Sequence, residues 1–357
     1  MASIGLGGIV ALAAATVCLG SGCSSIGYMA QSVGGHIELL RAAKPVPQWL
    51  ADEQTPVELK ERLALTQRMR EFAVSELRLP DNASYRRYAD LKRPAAVWNV
   101  VAAPELSLTL KTWCFPVVGC VGYRGYFDRA EADAFAGELR AQGWEASVYG
   151  VPAYSTLGKL PGDFFADPLL STFIRYPEGE LARLIFHELT HQVAYASGDT
   201  VFNESFATTV ERIGGMRWLN ERADAKARAD YERFDARRRD FRALTMKYRG
   251  RLDALYKGPL PDDQKRSAKA ALMAQLRADY AALKADAWGG FSGYDAWFEH
   301  ANNASLGVLA AYNELVPGFE RLYEREGRDF TRFYAEVKRL AALPKDERHA
   351  ALTSSGD

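Results

Sequence analysis

The segment Ile185-Phe186-His187-Glu188-Leu189-Thr190-His191 constrains the fold more than any other stretch of the 357-residue chain. Residues four apart on an α-helix share a face, so a helix here aims His187 and His191 the same way and places Glu188 beside them. Leu181, Leu184, Ile185 and Phe186 give that helix an apolar surface to bury. Burying two imidazoles and a carboxylate is costly unless every one finds a partner or a metal ion joins them. The chain has only five histidines, and two of them bracket a glutamate at a spacing that suits metal ligation. Two readings follow from the residues: two core histidines satisfied by hydrogen bonds, or a metal-binding pair with an uncoordinated glutamate at its side.

A catalytic zinc takes three protein ligands and leaves a fourth position open. The stretch Phe202-Asn203-Glu204-Ser205-Phe206-Ala207-Thr208-Thr209-Val210-Glu211 can supply the third. Glu204 lies thirteen residues beyond His191, across a turn at Gly198-Asp199, so an antiparallel second helix returns its carboxylate to the histidines. Glu211, two turns further on, shares its face and can accept the outer N–H of a ligating imidazole. Asn203, beside Glu204, is taken with Glu211 as a supporting residue, and Asp199 is a weaker candidate for the same task. The competing reading makes Glu204 and Glu211 a solvated helix face.

The surrounding pattern is mostly helical, and it predicts an α+β fold with a small mixed sheet. Leu59, Leu63, Met69, Phe72 and Leu77 recur at helical spacing over 55–79, and Pro80-Asp81-Asn82 stops that helix. Ala96–Val101, Leu106–Trp113 and Ala146–Val151 read as strands, with Ala153–Thr156 as an extension or a neighbour. Between them Asp128-Arg129-Ala130-Glu131 has the form of a capping box and opens a helix that ends at Gly143. Pro177 with Glu178 and Glu180 marks the start of the histidine-bearing helix, which runs to Gly198; the next is expected to end at Gly214-Gly215. Residues 217–285 read as a long helical hairpin broken at Gly258–Asp263. Helix resumes over 303–342, with Pro317-Gly318 as a break. One catalytic domain over 23–350 accommodates all of this.

Lys plus Arg and Asp plus Glu both total 45. A balanced chain whose charges are mixed along its helices gives no reason to expect nucleic acid as a partner. Residues 1–22 carry no charge, and Ile9–Leu19 is an apolar run of eleven, too short to span a bilayer but suited to a secretion signal. Small residues then precede Cys23, as in bacterial lipoprotein signals, where cleavage exposes a cysteine for lipidation; an ordinary signal or an uncleaved anchor is the alternative. Residues 24–50 read as a tether closing at Pro45-Val46-Pro47. Of the four cysteines, Cys18 falls in the signal. Cys114 and Cys120, with Pro116 and Gly119 between them, are bridged in an oxidising compartment or remain two buried thiols.

His-Glu-x-x-His followed by Asn203-Glu204-Ser205-Phe206-Ala207 resembles the gluzincin metallopeptidases. The resemblance implies a zincin-like fold and assigns Glu204 as the third zinc ligand, with one zinc per chain. The spacing from the second histidine is shorter than in the large zinc aminopeptidases, and their Gly-x-Met-x-Asn motif is absent. Gly122–Phe127, Ala153–Gly158 and Asn302–Leu306, with Tyr312 beyond, resemble more closely a family of bacterial zinc aminopeptidases, often lipoproteins. What this implies is a peptide substrate, a membrane tether and a place in the cell envelope facing the periplasm. Zinc polarises a scissile carbonyl and activates water, and Glu188 is read as the general base. Tyr312, then Tyr126 and Tyr154, are candidates to stabilise the oxyanion. A strand edge near 153–158 could pair with an extended peptide. The alternative function is a non-catalytic envelope protein that keeps a structural zinc on the same scaffold.

Overall fold

The computed structural model describes residues 23–115, 119–153, 155, 162–311 and 313–354. Residues 1–22, read above as a signal, lie outside them with Tyr154 and Tyr312, as does most of the expected 153–158 edge. The described chain is a mostly helical α+β fold. It opens with α1 (Cys23–Ala42), β1 (Lys44–Pro45), α2 (Val46–Ala51) and α3 (Val57–Ser75). The tether expected over 24–50 is therefore largely helix. Leu39 and Leu40 are buried in the main core, and Gln31 binds the backbone of Phe127 and Gly125, so the C-terminal half of α1 packs as part of the fold.

Three small sheets follow. β2 (Arg87–Ala89) pairs antiparallel with β1 and parallel with β8 (Leu169–Leu170). β3 (Val97–Pro104) lies between β6 (Arg124–Tyr126) and β7 (Trp144–Val151), antiparallel to both. β4 (Trp113–Phe115) and β5 (Gly119–Val121) form a hairpin closed by a Cys114–Cys120 disulfide. The helix α4 (Arg129–Ala141) joins β6 to β7. Asp128 caps it as its sequence predicts, accepting from the Glu131 amide at 3.0 Å. β3 is buried on both faces. Trp98, Val100 and Ala102 pack on α4, while Val101 and Ala103 face Tyr123, Tyr149 and Ala304. The strand expected over 106–113 forms only at its end. Leu108 instead enters the core of the helical hairpin and Leu110 packs near Val101, with one bond, Lys111 N to Ala102 O at 2.8 Å, tying the segment to β3. Its alternating leucines thus serve two different clusters, so no ladder is needed to bury them.

The centre of the molecule is α5 (Glu178–Thr190) packed on α6 (Thr200–Glu221). α5 ends before Gly198, which serves the following turn with a positive φ. Far from stopping at Gly214-Gly215, α6 runs seven residues past Gly214. A Cβ on Gly214 would lie 2.5 Å from Leu77 Cδ1, and one on Gly215 2.5 Å from Arg183 Cγ. These glycines are sites of close approach within a helix. On its other side α6 presents Phe202, Phe206 and Val210 to a buried aromatic cluster built with Phe319, Phe333 and Tyr334. Those residues belong to α11 (Val316–Arg325) and α12 (Phe330–Ala341). From Phe202 to Val210 every residue but Glu204 is buried, so this half of the helix needs no polar stripe.

The hairpin predicted over 217–285 consists of α7 (Ala225–Lys257) and α8 (Asp262–Asp286), residues 217–221 belonging instead to α6. It holds a cluster of its own around Tyr248, Leu252, Leu276 and Phe298, the last from α9 (Asp295–Glu299). α10 (Asn303–Ala311) closes the β3 face, and α13 (Lys345–Thr353) ends the fold. Pro317 lies in the first turn of α11, where its missing N–H costs nothing, so the break falls before it. Among the described residues, no helix is long and apolar enough to cross a membrane.

Candidate metal centre

His187 sits in the last turn of α5, and His191 follows that helix directly in helical backbone. Glu204 occupies the second turn of α6. The antiparallel pair brings Nε2 of His187 to 3.2 Å from Nε2 of His191 and 3.2 Å from Oε2 of Glu204; Nε2 of His191 is 3.7 Å from the same oxygen. These three residues form a group that can hold a metal ion. Nitrogen and oxygen donors about 2.0–2.1 Å from a tetrahedral ion stand about 3.4 Å apart, so the triangle has the size such an ion requires.

The electrostatics also call for a cation. Burial pushes Glu211 up, but Arg183 and His187 outweigh it and hold the carboxyl at about 2. Burial likewise raises Glu204, and the flanking imidazoles bring it below its ordinary value. Burial disfavours charge on His187, yet Glu204 and Glu211 together draw a proton onto it, well above the usual imidazole range. The proton on Nε2 faces Glu204 at 3.2 Å, at the place a metal ion would take. His191, lowered to about 4 by burial, keeps a free lone pair.

Glu211 accepts from His187 Nδ1 at 2.9 Å, which leaves Nε2 facing the donor triangle. Its other oxygen binds the Arg183 guanidinium. Arg183 lies one turn before His187, crosses over Gly215, and also reaches Tyr231 Oη at 3.1 Å and Asp235 at 3.4 Å on α7. Asn203 does not reach the histidines. Its side chain clamps the backbone N–H and C=O of Ala196, both at 2.8 Å, and so fixes the turn that carries Tyr195 beside the His191 ring. Asp199 caps α6 through the Phe202 amide and binds Arg348 and His349 of α13, so it supports the helix and not an imidazole.

Glu188 makes no hydrogen bond or ion pair with a described residue. Burial raises its carboxyl to about 7, against the opposing pull of His187 and with the Glu204 and Asp167 carboxylates adding to the rise. It lines, with His187, a cavity of about 460 Å³ between α5, α6, α7 and α10, edged by Val151–Ala153. Of the tyrosines named from sequence, Tyr126 packs in the α4 cluster with Trp98 and Phe135 and takes no part here. The structure brings others. Tyr123 lies in the field of Glu204, Tyr195, Tyr149 and Glu188, and burial with those neighbours raises it well above a normal phenol. Tyr123 and Tyr126 occupy the same Gly122–Phe127 segment, three residues apart, but Tyr126 ends β6 in the α4 cluster while Tyr123 precedes the strand and packs by Val101 and Ala304. Arg183 was legible as the one charge within an otherwise apolar helical run, but nothing in the pattern tied it to Glu211.

No curated protein and no solved structure matches the chain. A family described as "Putative aminopeptidase" matches residues 27–352, a span that contains both helices of the centre and the sheet behind it. The chain belongs to that family.

Proposed function

We propose that the protein is a zinc-dependent peptidase of the gluzincin type, an aminopeptidase that hydrolyses peptide bonds with His187, His191 and Glu204 as the metal ligands. The observation that carries the reading is the donor triangle of 3.2, 3.2 and 3.7 Å with Glu188, bonded to no described residue, on the adjoining cavity wall. A zinc ion held there supplies a Lewis acid for the scissile carbonyl and lowers the pKa of water to near 7.

The chain's own residues then divide the work. Glu188, tuned to about 7, accepts a proton from the attacking water and returns it to the leaving amine. That no described residue bonds it fits that task, and a purely structural metal site has no use for such a carboxylate. Glu211, held by Arg183, fixes the His187 ring. Tyr123 takes the role of hydrogen-bond donor to the oxyanion, since its hydroxyl stays protonated throughout the working pH range. The leader of residues 1–22 and a lipid on Cys23, where α1 begins, tether the enzyme to the cell envelope on its periplasmic side; release of a Cys23→Ala protein from the membrane fraction tests that part.

The decisive measurement pairs metal content with hydrolysis of short peptides by the protein beginning after Cys23, beside Glu188→Gln. We expect one zinc per chain in both and turnover only in the native sequence, with a loss of at least about 100-fold in kcat. Zinc bound without turnover of any peptide would leave the metal structural, and a protein that binds no zinc removes the reading altogether.

A further inference from the structure

The cavity over His187 and Glu188 is lined by three arginines, Arg183, Arg238 and Arg242. Two of them are paired with carboxylates. Arg183 binds Glu211 and Asp235. Arg238 holds Glu180 through two parallel bonds, 2.7 and 2.9 Å, and Asp235 at 2.9 Å. Asp235 also takes Arg239 at 3.0 Å, so its two oxygens are shared among three guanidinia. Arg242 is different. It is half-buried, and among the described residues no carboxylate, carbonyl or hydroxyl binds it.

Its surroundings make this costly. Burial and the cations of Arg212, Arg238 and Arg183 all press against its charge, and Asp235, already shared, is the acid that opposes them. Arg212 is itself engaged by Glu320 at 3.1 Å. A half-desolvated guanidinium next to three others is unfavourable until an anion arrives. Its fork of donors matches a carboxylate. It faces the same cavity as Glu188, and about 460 Å³ lies at the small end of ligand sites.

We infer that Arg242 is the specificity residue that binds the terminal α-carboxylate of the substrate, so that the site takes short peptides with a free C-terminus. The inference rests on the peptidase reading. It defines which peptides fit: those whose own C-terminal carboxylate reaches Arg242 while the scissile bond lies at Glu188. Longer chains and C-terminal amides leave the guanidinium unmatched.

Zinc-loaded Glu188→Gln protein, titrated calorimetrically with a tripeptide and with the amide of the same tripeptide, tests it without turnover. The free acid is expected to bind about 10–100-fold tighter than the amide, the span of one charge-assisted pair. Adding Arg242→Ala should abolish that difference, and Arg242→Lys should restore part of it. Equal binding of acid and amide overturns the inference, whatever the fate of the arginine variants, because the ligand alone is altered. A preference for the acid that survives Arg242→Ala overturns the assignment to this residue. Hydrolysis by the native sequence separates the two levels: turnover of acid and amide alike sinks only the C-terminal anchor, whereas discrimination in binding with no turnover of either sinks the peptidase reading.

Discussion

At the residue scale the centre is organised by what each donor can and cannot do. An ionised carboxylate only accepts, so Glu211 at 2.9 Å forces the proton onto Nδ1 of His187 and frees Nε2. Arg183 in turn keeps Glu211 ionised. Glu211→Gln removes that dictation, because an amide can donate as well as accept. Metal affinity measured by chelator competition should fall about 10–100-fold, with the helices unchanged by circular dichroism. An affinity equal to the native one would show that the His187 ring is oriented by packing alone. Tyr123→Phe tests the phenol that lies in the field of Glu204 and Glu188. Among the described residues its hydroxyl bonds none of His187, His191, Glu204 and Glu211, so metal affinity should hold while kcat drops about 100-fold with little change in KM. A loss in KM alone would make Tyr123 a binding residue and not an oxyanion donor.

At the scale of elements, the close contact of α5 with α6 sets the donor triangle, and glycine makes it close. Valine at Gly214 would place its Cβ 2.5 Å from Leu77 Cδ1 and 3.1 Å from Phe186. Gly214→Val should therefore destabilise by about 1–3 kcal/mol in urea unfolding and weaken metal binding by parting the helices. Gly137, exposed on α4, has no neighbouring atom within 4 Å of its added Cβ; Gly137→Ala should stabilise by about 0.5–1 kcal/mol through helix propensity alone. Opposite signs for two helical glycines are the test. The same contrast explains what the sequence hides. A glycine pair reads as a stop because helix ends favour glycine, and nothing local shows that Leu77 and Arg183 need the space. Features encoded locally were legible: the Asp128 cap, the turn in the α7–α8 hairpin, and the spacing that gathers His187, His191, Glu204 and Glu211. Those that depend on distant partners were not. Leu108 and Leu110 alternate like a strand yet pack apart, Tyr123 and Tyr126 lie three residues apart yet join different clusters, and Arg242 is notable only once its neighbours prove to be paired.

Across the whole molecule, the centre is stapled to a core that does not depend on it. The main apolar cluster runs from Leu39 of α1 through Phe186 and Phe206 to Leu352 of α13. Arg348 and His349 tie that last helix to Asp199 at the start of α6. Glu204 therefore stands on a helix anchored along its length, and the donors should persist in position when the metal is withdrawn. Removing zinc with a chelator is expected to leave the far-ultraviolet spectrum at 25 °C unchanged and to lower the thermal midpoint. The midpoint should then climb with added zinc by mass action, about 4 kcal/mol of stability at a thousandfold excess over Kd. The pH dependence has a definite sign. Ligating imidazoles must be unprotonated, and without metal His187 holds its proton well above the usual imidazole range, so binding releases that proton and the zinc-dependent increment should shrink steadily as pH falls from the alkaline side through neutrality, while the zinc-free protein lacks that term. Loss of helical signal on chelation at neutral pH would instead show that the metal folds α5 against α6, and that the aromatic cluster behind α6 is too weak to hold them together.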